Sequence, residues 1–106
     1  MTDLVPYFEA KKQAMIDRLS DFVKLESPSH DKVATDKFGA YLKQQFEAYG
    51  ATVAVHPRDS VGDILLATWN SNASGKPLLI VSHMDTVWAL GTIDGEVPLK
   101  LEDGRL

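Results

Sequence analysis

The sequence contains no cysteine, which removes disulfides, thiolate metal sites and cysteine nucleophiles from consideration. It has no long apolar run. Its strictly apolar stretches, such as Leu78 to Val81, fall far short of the ~20 residues that span a bilayer, so no membrane partner is expected. Clustered positive charge is scarce as well. Lys and Arg total 11 against 15 Asp and Glu, a formal net charge of −4, and only the pair Lys11-Lys12 stands out. Phosphate backbones draw their binding energy from grouped cations, so nucleic acid is excluded as a partner. The N-terminus has Asp3 and Glu9 but no apolar h-region, which argues against a secretory signal and for a cytoplasmic location.

What is present suffices for one folded domain. A chain of 106 residues and 11.7 kDa should expose roughly 5,900 Å² when folded against about 17,000 Å² unfolded. The 44% hydrophobic content can fill a core of that size, and disorder is a poor reading of such a composition.

The order of elements reads helix, helix, strand, strand, strand. Phe8, Met15, Ile16, Leu19, Phe22 and Val23 recur at three- and four-residue steps, predicting a helix over about 4–25. Pro6 is tolerated in its first turn, and Glu26-Ser27-Pro28 ends it. A second helix over 31–49 starts after Ser29 or Asp31, carries Ala34, Phe38, Tyr41, Leu42, Gln45, Phe46 and Tyr49, and stops at Gly50.

Strands are expected over about 51–56, 63–69 and 78–83, with Val97 to Leu101 as a further short candidate. The runs DILLATW and LLIV are apolar on both faces, as inner strands are. The fold class that follows is α/β: a layered, mixed β-sheet flanked by helices.

Three histidines are candidates for metal or acid–base chemistry. His30 sits in a turn and His56 at a strand end before Pro57; both read as solvated or capping side chains. His83 follows directly on Leu78-Leu79-Ile80-Val81, in Ser82-His83-Met84-Asp85-Thr86. Ligands of open α/β sheets collect outside the carboxyl ends of strands, and extended geometry puts residues 83 and 85 on one side. A carboxylate beside an imidazole fixes the ring tautomer and improves the other nitrogen as a metal donor. His83-x-Asp85 also serves as a hydrogen-bonded pair capping a strand end, and spacing alone does not decide between the two.

The run PLLIVSHMDTV resembles the first metal motif of the dinuclear zinc family of aminoacylases, acetylornithine deacetylases, succinyl-diaminopimelate desuccinylases and glutamate carboxypeptidases. The upstream Ser27-Pro28-Ser29 and Tyr49-Gly50-Ala51, and the downstream Gly91, Pro98 and Asp103-Gly104-Arg105-Leu106, are similar to that family's pattern.

The resemblance implies the N-terminal portion of a zinc-exopeptidase-like catalytic domain. It further implies hydrolysis of amide or peptide bonds, with a peptide or N-acyl amino acid as substrate and two zinc ions, or other divalent metals, as cofactors. His83 would be a metal ligand and Asp85 the active-site aspartate that positions it. The resemblance also allows a homodimer formed through a further domain not contained here.

The family's second motif, Gly-x-Gly-x-x-Asp-Met-Lys, does not occur in the 106 residues, and neither do its later ligands. Asp94, Glu96, Glu102 and Asp103 stand in loop-like context beside glycine or proline and read as solvated turn residues. A catalytic zinc takes about three protein ligands, and this sequence offers one. The expectation is therefore a chain that is catalytically incomplete by itself and continues into the second motif. The alternative is a truncated, non-catalytic α/β binding or interaction module, whose reading frame stops after Leu106.

Overall fold

The computed structural model describes residues 3–106. It is a small α/β fold of two helices, α1 (Val5–Lys24) and α2 (Lys32–Ala48), and two strands, β1 (Thr52–His56) and β2 (Ile64–Thr68), with a short 3-10 turn at Thr92–Asp94. Pro6 falls in the first turn of α1, and the Val5 N–H donates to Asp3 Oδ1 at 3.0 Å. Of the two candidate caps for α2, the chain uses Asp31, whose carboxylate accepts from the Ala34 N–H at 2.9 Å. Gly50, at φ 84°, supplies the left-handed residue that stops it.

β1 and β2 form an antiparallel hairpin in register from Thr52↔Thr68 to His56↔Ile64. α2 lies across one face of it, with Ala34, Thr35, Phe38 and Gly39 buried. Leu65 and Ala67 turn toward that helix, whereas Ile64 and Leu66 face away and stay half exposed. α1 joins through aromatic edges: Phe22 packs on Phe38 with ring centroids 5.5 Å apart and on Tyr41 at 5.9 Å. Arg18 donates to the Gln45 side chain between the same two helices. At the far end Trp69 meets Phe46 at 5.5 Å and donates its ring N–H to the Tyr49 carbonyl at 3.0 Å. Lys32 pairs with Asp36 at 2.7 Å and Asp63 at 2.6 Å, tying the first turn of α2 to the start of β2.

Three expectations need correction. The sheet is a two-stranded antiparallel hairpin rather than a larger mixed sheet. Residues 78–83 form no strand: a strand exists by pairing, and Leu78 to Val81 have no backbone partner among the described residues. Their side chains are 75–87% exposed. Likewise 97–101 forms no strand, and the only pairing nearby is an isolated bridge between Glu102 and Arg105. β2 is covered on one face only.

The apolar stripe of α1 is also open, since Phe8, Met15, Leu19 and Val23 remain substantially exposed and the helix buries no residue. In consequence the chain exposes 8658 Å², well above the roughly 5,900 Å² expected for its mass. Its radius of gyration is 16.4 Å, against about 13 Å for a compact chain of this length.

Candidate functional site

The segment carrying His83 and Asp85 is held in place by the short connection between the two helices. The peptide N–H of Thr86 donates to the Ser27 carbonyl at 2.7 Å, and the Ser29 N–H donates to the Thr86 carbonyl at 2.9 Å. These two bonds make Pro28↔Thr86 a single parallel bridge. Side chains reinforce it. Ser27 Oγ donates to the Met84 carbonyl at 2.5 Å, and Ser29 Oγ donates to the Thr86 carbonyl at 3.0 Å. Thr35, buried on α2, donates to the Pro28 carbonyl at 3.1 Å and so fixes the connection to the core. Met84 packs over Gly39, where a Cβ would meet its thioether at 3.4–3.5 Å.

With Met84 seated inward, its two neighbours turn outward together. His83 Nδ1 lies 2.9 Å from the Asp85 carbonyl oxygen and 3.3 Å from the Asp85 carboxylate. Both partners are acceptors, so the proton belongs on Nδ1 and Nε2 is left with its lone pair. The tautomer is thus assigned by the hydrogen-bond network. The His83 side chain is 83% exposed and that of Asp85 40%, so the free nitrogen is open to solvent.

The Asp85 carboxyl is held below its ordinary value. The Ser29 hydroxyl beside it contributes most, then its own backbone N–H; partial burial opposes them, and the His83 ring adds a smaller lowering.

Glu26, at φ 24° in the left-handed region, anchors the next stretch. Its carboxylate accepts from the Gly91 N–H at 2.9 Å and the Ile93 N–H at 3.1 Å. These amides open the 3-10 turn, where a carboxylate is well placed. They also hold the Glu26 carboxyl below its ordinary range, Gly91 most strongly. Between the two anchored stretches lies an open cavity of about 450 Å³ with Phe22, Phe38, Trp88 and Ile93 on its walls and His83 and Asp85 among its lining residues.

The structure brings His83 and Asp85 together. It does not bring His30 or His56 to them, and among the described residues no group of three or more His, Asp or Glu is placed to share a metal ion. Asp94, Glu96, Glu102 and Asp103 are all exposed, Asp94 ending the 3-10 turn and Glu102 forming the isolated bridge to Arg105. The role of Glu26, Ser27 and Ser29 escaped the sequence reading, which took Glu26-Ser27-Pro28 as a helix stop. The available signal was the pair of hydroxyl side chains flanking a proline directly after a helix, since such side chains bond to backbone in turns. No helix among the described residues is long and apolar enough to cross a membrane. No protein-family model, no curated protein and no solved structure matches the chain.

Proposed function

We propose that this chain carries the first metal motif of a zinc-dependent hydrolase acting on peptide or N-acyl amino acid bonds. The observation that carries the reading is the His83–Asp85 pair: an exposed imidazole with Nε2 free and Nδ1 held by the aspartate. This is the arrangement that orients a histidine ligand and raises its donor strength. The donor chemistry fits one arm of a zinc site, imidazole backed by carboxylate. The resemblance of PLLIVSHMDTV to the aminoacylase and glutamate carboxypeptidase family supplies the reaction class.

In this reading His83 would hold the metal through Nε2, and Asp85 would keep the ring in its tautomer and supply negative charge nearby. A bound zinc pair supplies Lewis acidity toward a water molecule and the scissile carbonyl. The adjoining cavity, with Phe22, Phe38 and Trp88 on its walls, offers an apolar surface beside the solvent-exposed pair. The reading requires the remaining ligands and the general base to be supplied from outside the described residues, which bring one histidine to the pair and no cluster of three candidate ligands.

The test is zinc-dependent hydrolysis of N-acyl amino acids and of peptides with a free C-terminal carboxylate, using the protein as produced from its own gene. Turnover should be abolished by His83→Ala and reduced about 10- to 100-fold by Asp85→Asn, the usual cost of losing a ligand's carboxylate partner. A native gene product without any zinc-dependent hydrolysis of either substrate class would overturn the reading, in favour of a binding module.

A further inference from the structure

The cavity beside the His83–Asp85 pair holds about 450 Å³, within the roughly 300–1,000 Å³ of small-molecule sites. A void of roughly 150 Å³ accepts benzene, so there is room here for a longer apolar group. Phe22, Phe38, Trp88, Ile93 and Val97 form its walls. Trp88 and Val97 are 53% and 48% exposed, so a ligand covering them removes apolar surface from water. The outer wall is already fixed in the free chain. Glu26 accepts from the Gly91 and Ile93 amides at 2.9 and 3.1 Å, and the Val97 N–H donates to the Thr92 carbonyl at 3.0 Å.

Polar side chains in the lining are engaged within the protein. Glu26 serves those two amides, Ser27 Oγ donates to the Met84 carbonyl, and Thr92 Oγ1 donates to the Ala89 carbonyl at 2.7 Å. What remains for a ligand inside is apolar. Charge acts in the same direction. The lining includes the carboxylates of Glu26 and Asp85 and, among the described residues, no lysine or arginine. An entering carboxylate meets like charge and no cation, whereas an uncharged apolar group meets neither penalty. In an N-acyl amino acid the acyl end lies farthest from the carboxylate.

We propose that this cavity binds the apolar acyl chain of an N-acyl amino acid, with the amide at its mouth beside His83 and the carboxylate in solvent. The ligand class rests on the hydrolase reading, but occupancy of the cavity can be measured without turnover.

The experiment is a methyl NMR titration of the 106-residue protein, with no zinc added, using the series from N-acetylglycine to N-octanoylglycine. Shifts should appear at the methyls of Ile93 and Val97 and not at Leu78 to Val81. Each added methylene should tighten binding about two- to fourfold, for half to full burial of that group, until the cavity is full. N-hexanoylglycine should bind more tightly than its isomer N-acetyl-leucine, which carries the same apolar carbons next to the carboxylate. Val97→Asp, at a half-exposed wall position, should flatten the series. Trp88→Ser makes the same comparison should aspartate loosen the turn, and Ile80→Lys, outside the cavity, should leave the series unchanged.

Equal affinity along the series would overturn the proposal, as would shifts centred on Leu78 to Val81 or an unchanged series in folded Val97→Asp. N-acetyl-leucine binding as tightly as N-hexanoylglycine would overturn it too, because the charge of the lining would then not select the acyl end. Length-dependent binding without any zinc-dependent turnover by the native gene product would uphold the cavity and remove the hydrolase reading alone.

Discussion

Adding zinc to this chain tests the ligand arithmetic directly. A four-ligand structural zinc site gains about 10–16 kcal/mol near neutral pH, or roughly 2.5–4 kcal/mol per ligand. The described residues bring together one imidazole with a free Nε2, and no cluster of three candidate ligands. One such ligand corresponds to a dissociation constant on the order of 1–10 mM. The assay is a zinc titration followed on the histidine ring signals by NMR, with His83→Ala as the control. His83 should shift first, because its Nδ1 is engaged by Asp85, and His83→Ala should remove that response. Saturation at about 10 µM or tighter, equivalent to roughly 7 kcal/mol, would demand at least one further ligand and would refute the view that His83 stands alone.

Three other outcomes are expected. Phe38→Ala removes the ring that joins α1 to the α2–hairpin layer and should cost about 3 kcal/mol or more in chemical denaturation; a loss under about 1 kcal/mol would contradict the packing described. Glu26 has a depressed carboxyl, so its contribution is full above its ordinary value of 4.5 and is lost as pH falls through the folded value. The protection of the Gly91 and Ile93 amides, taken relative to their intrinsic exchange rates at each pH, should therefore fall on acidification below that range, and Glu26→Gln should remove the pH dependence. The apolar run Leu78 to Val81 and the open stripe of α1 should make the isolated chain associate, with sedimentation depending on concentration and Ile80→Lys reducing the effect; a monomer with a sharp, reversible, concentration-independent melt would contradict this.

The helices were legible because their signals are local. A 3.6-residue apolar period, a tolerated Pro6, the cap at Asp31 and the left-handed Gly50 each act within a turn or two of the backbone. The two strand segments were legible for the same reason, as short β-branched and apolar runs, but their pairing with each other as an antiparallel hairpin was not. Leu78 to Val81 misled because apolarity records what a segment tends to bury, whereas a strand requires a neighbour to bond with. That neighbour is absent among the described residues, so the run stays unpaired and exposed.

The sequence by itself determined the two helices, the two strand segments and the proximity of His83 to Asp85, since two residues of separation fix that distance within narrow limits. Only the tertiary structure decided how the pair is held. Ser27 and Ser29 stand 57 residues from the carbonyls they grip, and Glu26 stands 65 from Gly91. No local pattern encodes such contacts. They arise when packing around Phe22, Phe38 and Met84 brings the end of α1 against the segment 84–93, and only then do three small polar side chains acquire partners.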